Sequence, residues 1–342
     1  MTTTHPPATA AEQFAARQHS PVQRVQHVLH SHPTISPALV LVIAFIVFSI
    51  LNPRFAHASS LSLVFQQVAV VGALAVGQTL IILTAGIDLS VGAATILSML
   101  VMAKLAKGNG LPGILALAIG VAVGLAAGGL NGALVTKAKL PPFIVTLGTL
   151  SVFAALGLLY SQAQSIQSGQ LPAVINWTGN TFPVGPFHLT TGVVLVLVLY
   201  VVVGFALSQT AWGKHVYAVG DDPDASRLAG IRVDRVLFSV YAVAGVIYGI
   251  TAWILIGRAG GADPNSLTDA NLESITAVVI GGTSLFGGRG AVGGTLLGAL
   301  IVGFFRSGLS LAGVNDQYRV LAIGVLVIVA VAVDQWIRKV RA

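Results

Sequence analysis

Long apolar runs with almost no charge dominate the sequence and restrict what the chain can fold into. Residues 61–103 contain one acidic residue, Asp88, and no lysine, arginine or histidine. Across the chain 55% of residues are hydrophobic and 8% are charged, whereas soluble domains carry about 25% charged residues. Because so few charges cannot cover a water-exposed surface, the sequence predicts an all-α helical bundle in a lipid bilayer.

Nine apolar segments are long enough, or nearly so, to cross a bilayer as helices, which takes roughly 17–25 residues. They are residues 36–51, 61–83, 86–103, 111–135, 143–160, 190–207, 236–257, 290–305 and 320–333. A tenth segment, residues 272–286, is shorter and rich in glycine, so it either spans the membrane or only enters it. The sequence therefore predicts about ten transmembrane helices.

The distribution of lysine and arginine favours ten crossings with both termini in the cytoplasm. Basic residues near helix ends concentrate on the cytoplasmic side. With ten crossings 12 of the 18 basic residues lie inside, and without the tenth the number falls to 10. The net charge of +7 is thus explained by helix orientation and not by nucleic acid binding.

The polar N-terminal segment differs from the rest of the chain. We expect residues 1–35 to form a disordered cytoplasmic tail and residues 36–342 to form the membrane domain. The tail lacks the apolar core of a cleavable signal peptide. It holds five histidines, but their irregular spacing does not favour a metal site.

Two polar connections are long enough to have functions of their own. Residues 161–189 contain three prolines and are expected to form an irregular external loop. Residues 208–235 are expected to be cytoplasmic, and GDDPDASRLAGI at 220–231 predicts a helix of about two turns. Aspartate caps helix starts, proline suits the first turn and glycine ends helices. The residues of interest are Asp221, Asp222, Asp224, Arg227, Leu228 and Gly230.

A helix this short is marginal alone in water, so its apolar side must pack on something. Ala225, Leu228 and Ala229 share that side at helical spacing. One alternative is that this side packs on the chain's own bundle. The other is that it docks on a cytoplasmic partner, because a small apolar patch among charges is typical of protein contacts.

Glycines at four-residue spacing predict closely packed helices, because membrane helices use small residues to bring their backbones together. The clearest stripe is Gly120, Gly124, Gly128 and Gly132. Packing within the chain and contact between two copies both explain such a stripe, and it carries no information about a ligand.

Two segments combine glycine with polar residues in apolar surroundings, which predicts breaks in the helices. In the first, which contains Gly86 and Ser90, Asp88 either caps the next helix or contacts a solute within the membrane. The second contains Gly281, Gly282, Thr283, Ser284, Gly287 and Arg289. Irregular backbone at membrane depth must be buried in protein or line a wet cavity, so both breaks indicate a pathway.

Three of these segments together resemble a known family. GIDLSVG at 86–92, GDDPDASRLAGI at 220–231 and GGTSLFGGRGAVGGTLLGAL at 281–300 resemble the ribose/xylose/galactose-type permeases of bacterial ABC (ATP-binding-cassette) importers. The resemblance extends from about residue 36 to the end. It implies a multi-pass protein of the bacterial inner membrane that translocates a pentose or hexose delivered by a periplasmic binding protein.

The resemblance also implies partners. Such permeases pair in the membrane, as two copies or with a paralogue, and bind two cytoplasmic ATPases through a coupling helix, here residues 221–230. The binding protein would land near Trp177. This chain lacks a phosphate-binding loop, because Gly213, Lys214 and His215 fit only its centre. ATP and Mg²⁺ would bind to the partner ATPase, and no cofactor, metal or catalytic residue is expected in this chain.

Two other functions are compatible with a polytopic membrane chain. An ion- or proton-coupled carrier of a small neutral solute would keep several acidic or histidine residues in its helices, and Asp88 is essentially the only one expected here. An intramembrane enzyme would need a paired nucleophile and base or a metal cluster, which the apolar segments do not offer. The carrier is the main alternative, and the sequence does not indicate which sugar would move.

Overall fold

The computed structural model describes residues 35–339 except 109 and 268, and most of this part is helical. Its α-helices are α1 (Ile35–Leu51), α2 (Ala58–Leu83), α3 (Val91–Gly108), α4 (Gly113–Thr136), α5 (Pro142–Ser161), α6 (Ala173–Asn176), α7 (Thr191–Gln209), α8 (Ala211–Asp221), α9 (Pro223–Leu228), α10 (Val233–Ala259), α11 (Ala270–Ile280), α12 (Val292–Leu311) and α13 (Asp316–Lys339). The predicted tail lies outside the described residues apart from Ile35.

Six of the described helices are long and apolar enough to cross a membrane: α2, α4, α5, α7, α10 and α12. Helices α1 and α11 are apolar but shorter. The prediction of a polytopic membrane bundle is confirmed, whereas ten crossings and the side of each terminus stay predictions.

Helices α2 and α10 form the centre of the bundle. Residues 72–83 of α2 are all buried, and α10 buries the large side chains of Tyr241 and Tyr248. The other helices surround this pair, and the apolar side chains on their outer faces are exposed. An apolar exterior is the surface that a lipid bilayer requires.

The glycine stripe of α4 packs within the chain. A Cβ at Gly124 would lie 2.3 Å, and one at Gly128 2.2 Å, from a carbonyl oxygen of α10. Gly132 also faces α10, whereas Gly120 faces Met102 of α3. Only glycine permits this approach of the α4 and α10 backbones, and the contact leaves the stripe covered by the chain itself.

The external loop at 161–189 was expected to be irregular, and this was wrong in part. Strand β2 (Thr181–Val184) pairs antiparallel with β3 (Phe187–Thr190), and β1 (Ile166–Gln167) pairs antiparallel with β4 (Gly261–Ala262). The prolines do not prevent pairing, because edge strands tolerate proline. Trp177 stacks on Trp253 with 5.5 Å between ring centroids, so the loop lies against the end of α10.

Helix α3 begins later than predicted. The predicted crossing starts at residue 86, but the helix runs from Val91 to Gly108. Residues 84–90 are not helical, and Ala85 has a φ of +59°, which a right-handed helix does not allow. The break therefore lies between α2 and α3 and includes the whole polar motif.

The glycine-rich segment at 272–286 forms a shorter helix than expected. Helix α11 ends at Ile280, and Gly282 turns the chain with a φ of +86°. Eleven residues of helix are about 16 Å long, about half of a ~30 Å hydrocarbon core. Helix α11 alone is too short to span a membrane.

Candidate functional site

The polar helix predicted from GDDPDASRLAGI is α9, and Asp222 caps it. The Asp222 Oδ1 atom accepts hydrogen bonds from the backbone N–H groups of Asp224 at 2.9 Å and Ala225 at 3.0 Å. Asp221 ends α8 and does not cap α9. Gly230 follows with a φ of +84°, the left-handed conformation that terminates helices.

The apolar side of α9 faces away from the bundle. The Leu228 residue is 92% exposed, and Ala225 and Ala229 are exposed with it. Ser226 is the buried residue of this helix. Complete burial of a leucine side chain contributes about 1.5–3 kcal/mol, so the protein leaves an apolar contact unused at this surface.

Ion pairs connect α9 to the start of α10 and to the turn between α4 and α5. Arg227 lies 3.1 Å from an Asp224 carboxylate oxygen and 3.9 Å from one of Asp234. Lys139 donates a hydrogen bond to the other Asp234 oxygen at 2.9 Å. All four side chains are more than half exposed, and such pairs contribute at most about 1 kcal/mol each. The pairs therefore orient α9 more than they stabilise the fold.

Helix α8 connects α7 to α9, and its last turn contacts both predicted breaks. A Cβ at Gly220 would lie 1.8 Å from the Leu83 carbonyl oxygen, at the end of α2. Gly288 donates its N–H to the same oxygen at 2.9 Å. A Cβ at Gly288 would lie 2.8 Å from the Asp221 Cα. The ends of α2 and α8 and the turn before α12 thus meet at backbone distance.

Two further contacts strengthen this junction. Gly287, with a φ of +81°, packs on the Gly220 carbonyl oxygen and on Ala85 of the first break. The Tyr217 hydroxyl of α8 donates to the Gly290 carbonyl oxygen at 2.8 Å. Burial raises the pKa of Tyr217, so its hydroxyl keeps its proton near neutral pH.

The second break forms a tight turn. The Ser284 N–H donates to the Arg289 carbonyl oxygen at 2.9 Å, and the Gly287 N–H donates to the Ser284 carbonyl oxygen at 3.1 Å. Thr283 and Ser284 are buried, while Gly282 and the Arg289 side chain are exposed. Arg289 therefore faces the surface and not the interior of the bundle.

The first break is organised around Asp88, which is completely buried. One carboxylate oxygen accepts the N–H of Ser90 at 2.7 Å and its hydroxyl at 2.6 Å, and the other accepts the Tyr248 hydroxyl at 3.2 Å. Asn131 of α4 donates to the Ser90 hydroxyl oxygen at 2.8 Å, and Gly86 is buried beside them. These bonds hold the backbone of the break together just before α3 begins, and both predicted roles of Asp88, capping of the next helix and contact with a solute, stay predictions.

Asn271 was not among the residues predicted from the sequence. Its side-chain oxygen accepts the N–H of Gly92 at 3.0 Å, one of the free amides at the start of α3. The two residues are separated by 179 positions, so no local pattern indicates the bond. Asn271 connects the first break to the beginning of α11.

One prediction about charge was wrong. Asp88 was expected to be essentially the only acidic residue within the apolar helices, but Glu273 of α11 is only 4% exposed and pairs with Arg306 of α12. The residue lies in the segment whose crossing was uncertain, and its partner was assigned to a loop end. Only the packing of α11 on α12 brings the two together.

The comparisons with known proteins identify the family. The family described as "Branched-chain amino acid transport system / permease component" matches residues 60–331, most of the chain. The chain belongs to this permease family. No solved structure matches it.

Curated relatives of this permease are also named as permease proteins, and the match covers most of their length. It is 47% identical over 339 residues to the fructose import permease protein of Rhizobium meliloti, which covers 98% of this chain and 94% of that protein. It is 37% identical to the ribose import permease protein of Bacillus subtilis, over 88% of this chain and 92% of that protein. It is 34% identical to a probable ABC transporter permease protein of Sinorhizobium fredii, over 78% of this chain and 79% of that protein. The resemblance inferred from the three motifs is confirmed.

In the folded permease these three motifs lie together. The segments 86–92, 220–231 and 281–300 are far apart in the sequence, but Leu83, Gly220 and Gly288 bring their neighbourhoods into contact. The exposed helix, the start of the first break at Ala85 and the second break thus belong to one end of the bundle, while the far end of the first break reaches Asn271 at the beginning of α11. We refer to the end that carries the exposed helix as the α9 end.

Proposed function

We propose that the permease is the membrane-spanning subunit of an ATP-driven importer of a monosaccharide. The relatives named for fructose and ribose import support a small sugar as the solute. The observation that carries the proposal is the exposed apolar side of α9. Helix α9 begins two residues after the end of α8, and α8 contacts both breaks. A separate ATPase bound to α9 moves α8, and α8 moves the breaks.

The backbone contacts at the α9 end suit this transmission. Gly220 and Gly288 have no side chains, so a displacement of α8 cannot be absorbed by side-chain rotation. It must shift the end of α2 or the turn before α12, because packed interiors resist compression. In this mechanism α9 is the coupling helix, and ATP and Mg²⁺ act on the partner ATPase.

Ten crossings with both termini in the cytoplasm agree with the order of the helices. Helix α10 starts beside α9 and ends at the far side of the bundle, whereas α12 begins beside α8. Residues 260–291 must therefore bring the chain back to the α9 end, and α11 is their helical part. The crossings are then α1–α5, α7 and α10–α13. With the α9 end in the cytoplasm, 12 of the 18 basic residues lie on that side.

The opposite end then faces the periplasm. It carries the β2–β3 hairpin and the stacked Trp177 and Trp253, which suit contact with a sugar-delivering binding protein because tryptophan is enriched at interfaces. A second permease subunit, identical or paralogous, completes the assembly in the lipid bilayer. Residues 1–35 are a cytoplasmic tail of the membrane domain formed by 36–342.

A secondary carrier is the second candidate, because two carboxylates, Asp88 and Glu273, are buried in the bundle. Coupling to an ion requires such a group to change its proton or ligand during transport. Here Asp88 accepts three hydrogen bonds and Glu273 pairs with Arg306, so both have protein partners. The ATP-driven importer is therefore the better proposal.

Uptake in cells separates the two candidates. Cells without sugar uptake of their own would express the permease together with a sugar-binding protein and an ATPase. The ATPase would be either active or inactivated by loss of its catalytic residue. The importer predicts accumulation of labelled fructose or ribose only with the active ATPase. Equal accumulation with the inactive ATPase would refute it.

A further inference from the structure

A cleft of about 320 Å³ lies among the first half of α2, the second half of α12 and the beginning of α11. These parts belong to the half of the bundle opposite the α9 end. The volume falls at the lower end of the ~300–1,000 Å³ found for small-molecule sites. Its charged lining consists of Glu273 and three arginines, Arg258, Arg306 and Arg319, and its neutral polar lining includes Gln67, Ser266 and Ser307.

Toward the α9 end the cleft is closed by tight packing. A Cβ at Gly298 would lie 1.9 Å from the Ala277 carbonyl oxygen, so α11 and α12 leave no gap there. The Thr79 and Thr295 hydroxyls, both completely buried, share a hydrogen bond of 2.8 Å between α2 and α12. The cleft is thus accessible from the far half and blocked toward α9.

The cleft combines hydrogen-bond donors and acceptors with an apolar wall. Glu273 supplies a carboxylate and Arg306 a guanidinium, and the Ser307 hydroxyl bonds the Gln67 side-chain oxygen at 3.1 Å. Placing a charge within a membrane helix costs at least about 2.5 kcal/mol, so such residues have a function by default. Val68 and other apolar side chains form the rest of the wall.

We propose that this cleft is a solute site of the permease and holds a neutral, polyhydroxylated molecule. The inference rests on the proposed function and adds where the sugar is held. Hydroxyl groups donate to the Glu273 carboxylate and accept from the Arg306 guanidinium, and such charge-assisted bonds are stronger than neutral ones. The C–H faces of a sugar ring pack on the apolar wall. The blocked side keeps the solute from the α9 end until the breaks move.

The absence of cysteine in the sequence makes a direct test possible. Ser307→Cys places a single thiol in the cleft, and Ser208→Cys places one on an exposed position at the α9 end of α7 as a control. Both are reacted with a maleimide in membranes, alone or with saturating fructose, ribose or gluconate. We expect fructose or ribose to slow labelling of Ser307→Cys severalfold and to leave Ser208→Cys unchanged.

Two other results contradict the proposal. Protection by gluconate and not by the neutral sugars would mean that the three guanidinium groups of the cleft select an anion. Absence of protection by any of the three, in a protein whose wild type imports sugar, would show that the cleft is not the solute site. Protection together with uptake that needs no ATPase would refute the proposed function and leave the site standing.

Variants of the ion pair separate binding from helix packing. Glu273→Gln should weaken protection severalfold and reduce uptake, with normal elution of the detergent-extracted protein. The double variant Glu273→Arg with Arg306→Glu keeps attraction between α11 and α12 but exchanges donor and acceptor positions. If the pair binds solute, the exchange leaves protection and uptake low. Full recovery of both would mean that the pair only joins the two helices.

Discussion

Gly288 donates its backbone N–H to the carbonyl oxygen of Leu83 at 2.9 Å, and this bond joins the turn before α12 to the end of α2. Gly220 of α8 packs on the same oxygen. One carbonyl group is therefore shared by both helix breaks and by the helix that leads into α9. Movement of α8 relative to α2 cannot occur without altering this junction.

The junction predicts that Gly220→Ala blocks transport. The added methyl group would lie 1.8 Å from the Leu83 oxygen, so the helices must separate. Overpacking of this kind costs about 1–3 kcal/mol. We expect uptake of labelled sugar to be lost with a moderate drop in protein yield. Gly129→Ala is the control, because a Cβ there meets no atom within 4 Å. Wild-type uptake by Gly220→Ala would exclude a tight junction during transport.

Leu228→Glu tests the docking surface. The residue is exposed, so the substitution should leave thermal stability within about 0.5 kcal/mol of wild type. Loss of a buried leucine contact should weaken ATPase binding by about 10–100-fold, corresponding to 1.5–3 kcal/mol. Co-purification of the ATPase with the permease measures this effect. Val184→Glu, on the opposite hairpin, should retain the ATPase, and retention by Leu228→Glu would disprove the docking role.

Arg227→Glu should leave membrane insertion intact and abolish uptake. The substitution places a third carboxylate beside Asp224 and Asp234, so repulsion replaces two attractions and turns α9. Arg227→Lys keeps the charge and should retain most of the uptake. Membrane fractionation and sugar uptake are measured on the same cells. Normal uptake by Arg227→Glu would remove the coupling assignment of α9.

Asp88 is predicted to act mainly through structure. Asp88→Ala leaves the Ser90 amide and the Tyr248 hydroxyl without an acceptor inside the bundle, at about 1–3 kcal/mol each. The melting temperature of Asp88→Ala should be clearly below that of wild type, whereas Tyr248→Phe should lower the melting temperature much less. Asp88→Asn keeps an oxygen acceptor, so its melting temperature should lie between those of Asp88→Ala and Tyr248→Phe. Loss of uptake in Asp88→Asn with an unchanged melting temperature would instead indicate direct contact with solute.

Features set by neighbouring residues could be predicted from the sequence. The cap at Asp222, the end near Gly230 and the glycine stripe on α4 depend on residues within a few positions of one another. The break before α3 was also predicted, although its helix begins five residues later than expected because Ala85 leaves the helical conformation.

Features set by packing could not be predicted. The bond between Asn271 and Gly92 and the pair of Glu273 with Arg306 depend on how separate helices lie together. The same holds for the meeting of Leu83, Gly220 and Gly288, because each glycine by itself indicates only a close approach and not its partner.

Sugar uptake by purified protein in lipid vesicles tests the central proposal most directly. Vesicles would contain the permease alone or with the ATPase, with ATP enclosed and the sugar-loaded binding protein outside, under imposed ion and proton gradients. ATP-driven import predicts accumulation only when the ATPase and ATP are present, whatever the gradients. Accumulation by the permease alone, driven by a gradient, would contradict it.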